Sequence, residues 1–152
     1  MILISHRGNT TGKQINLENN PDYVDKTIRM GYNVEVDLWL EEDSFFLGHD
    51  EPQYKINMDW LTSRKNKLWI HCKNLNSFDF LSTYGDNTYK FFWHQEDSYT
   101  LTSNLMIWTY PDQPLSNRSI AVMPENTEYT LDQLKHCAGV CSDFIVNYRI
   151  LR

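Results

Sequence analysis

The stretch Val34-Glu-Val-Asp-Leu-Trp-Leu-Glu-Glu-Asp-Ser-Phe-Phe-Leu-Gly-His-Asp50 decides how this chain is read. Val34, Val36, Leu38 and Leu40 alternate with Glu35 and Asp37, the two-residue period of a strand with two distinct faces. Asp43-Ser44 then turns the chain into a short extended piece at residues 45–47, so the region reads as a hairpin. Two acids two residues apart on a strand point the same way, with Cα atoms about 7 Å apart. Such a pair either faces water or converges on one cation. By itself the Glu-x-Asp pattern favours water.

Outward from this strand, apolar runs alternate with helix-like ones along the whole chain, which is the α/β signature. Strands are expected at residues 2–5, 67–73, 90–94, 104–109, 119–123 and 139–144. A helix over residues 21–30 is opened by Pro21 and closed by Gly31, the usual asymmetry of helix ends. Further helices are expected near residues 58–64, at 77–84, and at 130–137, where Thr130 is a natural N-cap. The connections after the fourth and fifth strands are too short for crossover helices. With 152 residues the chain fits one domain and falls short of a full eight-unit barrel. The expected fold is α/β: a reduced, TIM-barrel-like parallel barrel of about seven strands, spanning residues 1–152 and lacking one or two outer helices.

Hydrophobic residues make up 41% and aromatic residues 14% of the chain, the composition of a folded protein. Fourteen basic against twenty acidic residues leave a net charge of -6, so phosphate backbones and anionic membranes are repelled on average. A nucleic-acid partner is therefore not expected. The start Met1-Ile-Leu-Ile-Ser-His6 carries no basic leader and only four apolar residues, too few for a signal peptide or a membrane span. Cytoplasmic residence is the resulting expectation. Cys72, Cys137 and Cys141 lack the paired spacing of a zinc site and read as reduced thiols.

Functional groups of parallel sheets collect where strands end. Here His6 and Arg7, Glu35 and Asp37, His71 and Lys73, His94, Trp108 and Asp143 all sit on or after expected strands, which suggests one shared mouth. His6 and His49 each end an apolar run and precede a charged residue. Imidazoles accept one proton and deliver another near neutral pH, as in-line displacement at phosphorus requires. Taken singly, each is an ordinary structural histidine, and His136 reads as a partner of a helix C-terminus. Most of Phe45, Phe46, Trp93, Trp108 and Tyr110 read as strand residues packing against helices, with Trp108 kept as a site candidate.

In combination, Ser5-His-Arg-Gly8, Leu17-Glu-Asn19 before the first helix, Val34-Glu-Val-Asp37 and Gly48-His-Asp50 resemble the start of the glycerophosphodiester phosphodiesterase family. That family belongs to the phosphatidylinositol-phospholipase-C-like phosphodiesterases and folds as a TIM barrel. Trp69-Ile-His-Cys-Lys73 looks like its third-strand Glu-x-Lys segment, and Cys141-Ser-Asp143 like its terminal Thr-Asp. The resemblance is close over about a third of the chain.

It implies His6 and His49 as acid/base pair, Glu35 and Asp37 as ligands of Mg²⁺ or Ca²⁺, Arg7 and Lys73 on phosphate oxygens, and Glu18 and Trp108 lining the site. The implied activity is metal-dependent hydrolysis of a small glycerophosphodiester, a reaction of lipid metabolism. Alternatives are a sphingomyelinase-D-like lyase giving a cyclic phosphate, and an inert barrel that binds a phosphate ester or a protein. The family's third metal ligand, a glutamate, is replaced by His71. Imidazole is softer than Mg²⁺ or Ca²⁺ prefers, so the site binds metal more weakly, takes Mn²⁺, or fills the position with water. Pro124-Glu-Asn-Thr127 spells the family's Pro-Glu-Asn motif in the wrong place along the barrel and reads as coincidence, although Glu125 follows a strand and could reach the mouth. A reduced barrel leaves strand edges open, and a homodimer is one way to cover them.

Overall fold

The computed structural model describes residues 1–85 and 88–152. In chain order its elements are β1 (Ile2–His6), α1 (Pro21–Arg29), β2 (Asn33–Glu41), β3 (Ser44–Leu47), β4 (Tyr54–Ile56), α2 (Met58–Arg64), β5 (Leu68–Cys72), α3 (Leu75–Tyr84), β6 (Lys90–Trp93), β7 (Tyr99–Leu101), β8 (Ile107–Thr109), β9 (Ser119–Val122), α4 (Leu131–Lys135) and β10 (Gly139–Ser142). Short 3₁₀ turns cover Pro124–Asn126 and Ile145–Leu151. Each α-helix starts on a side-chain cap, from Asn20, Asn57, Asn74 and Thr130, which accepts a backbone N–H of the first turn.

Parallel pairing runs β6-β5-β2-β1-β10-β9-β8, and the sheet curls into a half-barrel. The first and last strands are neighbours, with Ile2 opposite Gly139. β2 is long enough to do two jobs. Its first residues pair with β1, while Leu38 to Glu41 extend past the mouth and pair antiparallel with β3. At the far edge β7 lies antiparallel to β8, and the Ser103 N–H reaches the Phe91 carbonyl of β6.

Strand alternation sorts the core into layers. Val34, Val36, Leu38, Ile70 and Cys72 point outward to Val24, Leu61 and Leu81 of the helices. On the other side of the curl, Leu3, Ala121 and Val140 pack on Leu134 and Ile145. Ile4, Trp69, Phe92, Trp108, Ile120 and Cys141 point inward and fill the concave interior. Leu38 is fully buried in the outer layer. Leu38→Ala should therefore destabilise the fold by about 2–5 kcal/mol, read as a lower urea midpoint at unchanged slope.

The seven expected strands and four expected helices form within a few residues of their expected places. Two details differ. The fifth strand begins at Ile107 rather than Asn104, because Thr102 Oγ1 accepts the Met106 N–H and donates to Asn104 Oδ1, holding a turn with Leu105 at φ 63°. β4 and β7 are three residues long, too short for a period-2 pattern to register. Among the described residues no α-helix lies between β6 and β9, as the short connections led one to expect. No helix among them is long and apolar enough to cross a membrane.

Candidate active site at the strand ends

β1 ends on His6, and the backbone then reverses through Arg7 at φ 53° and Gly8 at φ 95°. The turn is seated by the Arg7 N–H on the Glu35 carbonyl (3.0 Å) and the Asn19 N–H on the Arg7 carbonyl (3.1 Å). Gly8 is required twice over, since its φ suits glycine and a Cβ would lie 2.6 Å from Tyr23 Cδ1. The reversal brings the Arg7 guanidinium back over the strand ends.

The acids of β2 do not face water. Glu35 and Asp37 are buried in the concave interior, because the sheet curls around that face, something a single amphipathic strand does not reveal. Asp37 Oδ2 accepts from Asn19 Nδ2 at 2.8 Å and pairs with Arg7 Nε at 2.9 Å. Its Oδ1 faces His71 Nδ1 at 3.1 Å and Lys73 Nζ at 3.6 Å. Burial alone would raise the Asp37 pKa, but His71, Arg7 and Lys73 together hold it far below the carboxylate range. Glu35 goes the other way: burial, and then the neighbouring charge of Asp37, push its pKa up. Glu35 Oε2 is buried without a hydrogen-bond partner among the described residues, 3.9 Å from His6 Nε2.

His6 is oriented from behind. Its Nδ1 sits 2.8 Å from Asp143 Oδ1, just past the end of β10. Asn9, fully buried, donates from Nδ2 to Asp143 Oδ1 (2.8 Å) and Glu18 Oε1 (3.0 Å), while Arg7 donates to Glu18 Oε2 (3.1 Å). Burial would lower the His6 pKa, yet the Asp143 hydrogen bond and the Glu35 charge leave it raised. Glu125 Oε1 accepts the Asp143 N–H at 2.9 Å, so the stretch that reads as coincidence in sequence buttresses the site. Asn9 carried no sequence signal of its own, and Asn19 only its place in Leu17-Glu-Asn19; their amides matter because the β1 turn lies against β2 and β10.

His49 comes from the exit of the β2–β3 hairpin. It is partly exposed, with Nδ1 2.6 Å from Asp50 Oδ1. Burial, with Arg7 and Lys73 nearby, pushes its pKa down. The preceding Gly48 has φ 156°, and a Cβ there would stand 2.1 Å from the Glu51 carbonyl oxygen. Gly48→Ala should cost about 2–4 kcal/mol and displace His49, seen as a lowered melting temperature with shifted His49 NMR signals.

Every residue expected at the mouth is in or against one place. His6, Arg7, Glu35, His49, His71, Lys73, His94 and Trp108 line a cavity of about 230 Å³, and Asp37 braces its Arg7, His71 and Lys73. Its apolar wall is Phe92 stacked on Trp108 (4.7 Å between centroids), beside His94 stacked on Tyr110 (3.8 Å). Arg7 and His49 also line an adjoining cleft of about 490 Å³ that includes Glu18 and Asn19. A larger cavity of about 680 Å³, between residues 112–117 and α4, contains none of these groups. His136 lines that one and donates from Nδ1 to the Asp132 carbonyl at 2.7 Å, as a helix-end residue. All three cysteines are free and buried, and burial pushes the Cys72 thiol up to about 12.

Glu35, Asp37 and His71 each offer a ligand atom, all within 4.8 Å of one another. Buried carboxylate oxygens without hydrogen bonds, here Glu35 Oε2 and Asp37 Oδ1, are costly unless a cation faces them, so the donor set fits a divalent metal. The chain matches no protein-family model, no curated protein and no solved structure.

Proposed function

We propose that this chain is a metal-dependent phosphodiesterase acting on a small glycerophosphodiester, with the half-barrel serving as a shortened TIM-barrel scaffold. The observation that carries the reading is the convergence, around one cavity, of two histidines, two cations and a buried carboxylate pair. A phosphodiester anion needs positive groups at its oxygens and two proton carriers, and little else, because positioning and electrostatics supply most of the catalysis.

Arg7 and Lys73 hold the phosphate oxygens. A neighbouring hydroxyl of the substrate attacks phosphorus. His49, kept neutral by its surroundings, accepts the hydroxyl proton at a ring nitrogen. His6, held by Asp143 and charged more readily, delivers a proton from Nε2 to the leaving alkoxide. The resulting cyclic phosphate is opened by water with the two roles reversed. Glu35, Asp37 and His71 would hold the divalent ion, which supplies Lewis-acid polarisation of the phosphate when bound. The aromatic wall of Phe92, Trp108 and Tyr110 excludes water on the far side.

Purified protein incubated with glycerophosphocholine and added Mn²⁺, Mg²⁺ or Ca²⁺ should release an alcohol and a phosphomonoester, followed by phosphorus NMR. A cyclic phosphate that accumulates identifies a lyase. Binding of the diester without turnover under any of the three metals overturns the enzymatic reading in favour of an inert binding barrel.

A further inference from the structure

We infer that Glu35, Asp37 and His71 form a centre selective for divalent transition-metal ions that bind imidazole, such as Mn²⁺, Fe²⁺ or Co²⁺, over Ca²⁺ and Mg²⁺. This deepens the metal-dependent reading above and rests on it.

The His71 ring is locked in place. It stacks on Phe92 with centroids 5.0 Å apart and planes 10° from parallel. Its Nε2 lies 3.3 Å from the His94 carbonyl oxygen, which can only accept, so Nε2 carries a proton there. Nδ1 faces the cluster, 3.1 Å from Asp37 Oδ1 and 4.0 Å from Glu35 Oε1, and becomes the ligand nitrogen when a divalent ion displaces the proton shared with Asp37. A ring nitrogen anchored through its opposite N–H to a carbonyl is the usual arrangement of a histidine ligand. Opposite it stand the two buried oxygens without hydrogen bonds, Glu35 Oε2 and Asp37 Oδ1.

The oxygen supply argues against Ca²⁺. Ca²⁺ takes about 6–8 oxygen ligands. Asp37 can offer only Oδ1, since Oδ2 is occupied by Asn19 at 2.8 Å and Arg7 at 2.9 Å. Beyond that the cluster has the Glu35 carboxylate and a nitrogen. Lys73 Nζ, 3.6 Å from Asp37 Oδ1, and Arg7 further offset the negative charge by which hard cations are held. A nitrogen donor adds much more to the binding of Mn²⁺, Fe²⁺ or Co²⁺ than to that of Ca²⁺ or Mg²⁺.

The full chain, stripped of metal, is titrated calorimetrically with MnCl₂, CaCl₂ and MgCl₂. Mn²⁺ should bind at least about tenfold more tightly than Ca²⁺, and His71→Glu should shrink that ratio by about tenfold or more. A ratio that is the same in wild type and variant overturns the selectivity while leaving a metal site intact. Failure of the wild type to bind any of the three metals overturns the site itself. A second readout needs no folded His71→Glu protein: the Co²⁺-loaded wild type should show a solvent-exchangeable, paramagnetically shifted proton from the His71 Nε2–H. The signal should persist in His6→Ala and His49→Ala and vanish in His71→Asn. Its loss in His6→Ala or His49→Ala with retention in His71→Asn overturns the assignment.

Discussion

His6→Ala is expected to lower turnover of a small glycerophosphodiester by about 10²–10⁴-fold, with the fold retained. The imidazole reaches the cavity through Nε2 while Asp143 fixes Nδ1 at 2.8 Å, so on the proposed mechanism alanine would remove a proton carrier and leave Arg7 and Lys73 in place. The loss should fall on kcat, with KM changed little. His49→Ala should lose activity on the same scale, but for a different reason. Its ring is partly exposed and hydrogen-bonded only to the neighbouring Asp50 among the described residues, so its contribution is proton transfer without a structural share. Asp143→Asn offers an intermediate case, since the amide keeps the contact but no longer favours the charged imidazole. Steady-state kinetics with circular dichroism as a folding check would test all three, and near-wild-type turnover in both histidine variants would sink the two-histidine mechanism.

Asp37→Ala is expected to be the most damaging single change to stability at the site, about 3–5 kcal/mol, and to abolish metal binding. Asp37 is fully buried, and its two oxygens face Arg7 Nε at 2.9 Å, Asn19 Nδ2 at 2.8 Å, His71 Nδ1 at 3.1 Å and Lys73 Nζ at 3.6 Å. Removing the carboxylate leaves the Arg7 and Lys73 cations without their counter-charge, and Asn19 without its acceptor, in a poorly solvated place. The same carboxylate makes the metal-free protein sensitive to acid. Its folded pKa lies below the unfolded one, so its contribution is fully present above the ordinary carboxylate range and is lost as pH falls toward the folded value. Urea titrations in chelator from pH 7 to pH 3 should show a wild-type decline with an Asp37 component that Asp37→Asn lacks. Equal acid sensitivity in the two proteins would assign that decline to other groups.

Much of this arrangement was legible along the chain. The alternation in β2, the Thr130 cap and the proline and glycine at the ends of α1 are local signals, and local signals produced elements close to where they form. His6, Arg7, Glu35, Asp37, His71 and Lys73 were legible because strand ends in a parallel sheet share one edge. Asn9 was not, and Asn19 and Glu125 were noticed, as part of a motif and as a strand follower, without their bracing roles. Each acts through a hydrogen bond to a residue 9 to 134 positions away, such as Asn9 with Asp143, and nothing in its own neighbourhood announces that partner.

The sequence by itself determined the α/β order, the faces of each strand and which polar residues fall at strand ends, because those follow from a two-residue period and from capping chemistry. Only the tertiary structure decided that Glu35 and Asp37 are buried rather than solvated. Strand alternation states that two acids share a face, but the curl of the sheet determines whether that face meets water or a histidine, two cations and an aromatic wall. That sheet sets β1 between β2 and the last strand, β10, a pairing between residues at opposite ends of the chain that no local pattern announces.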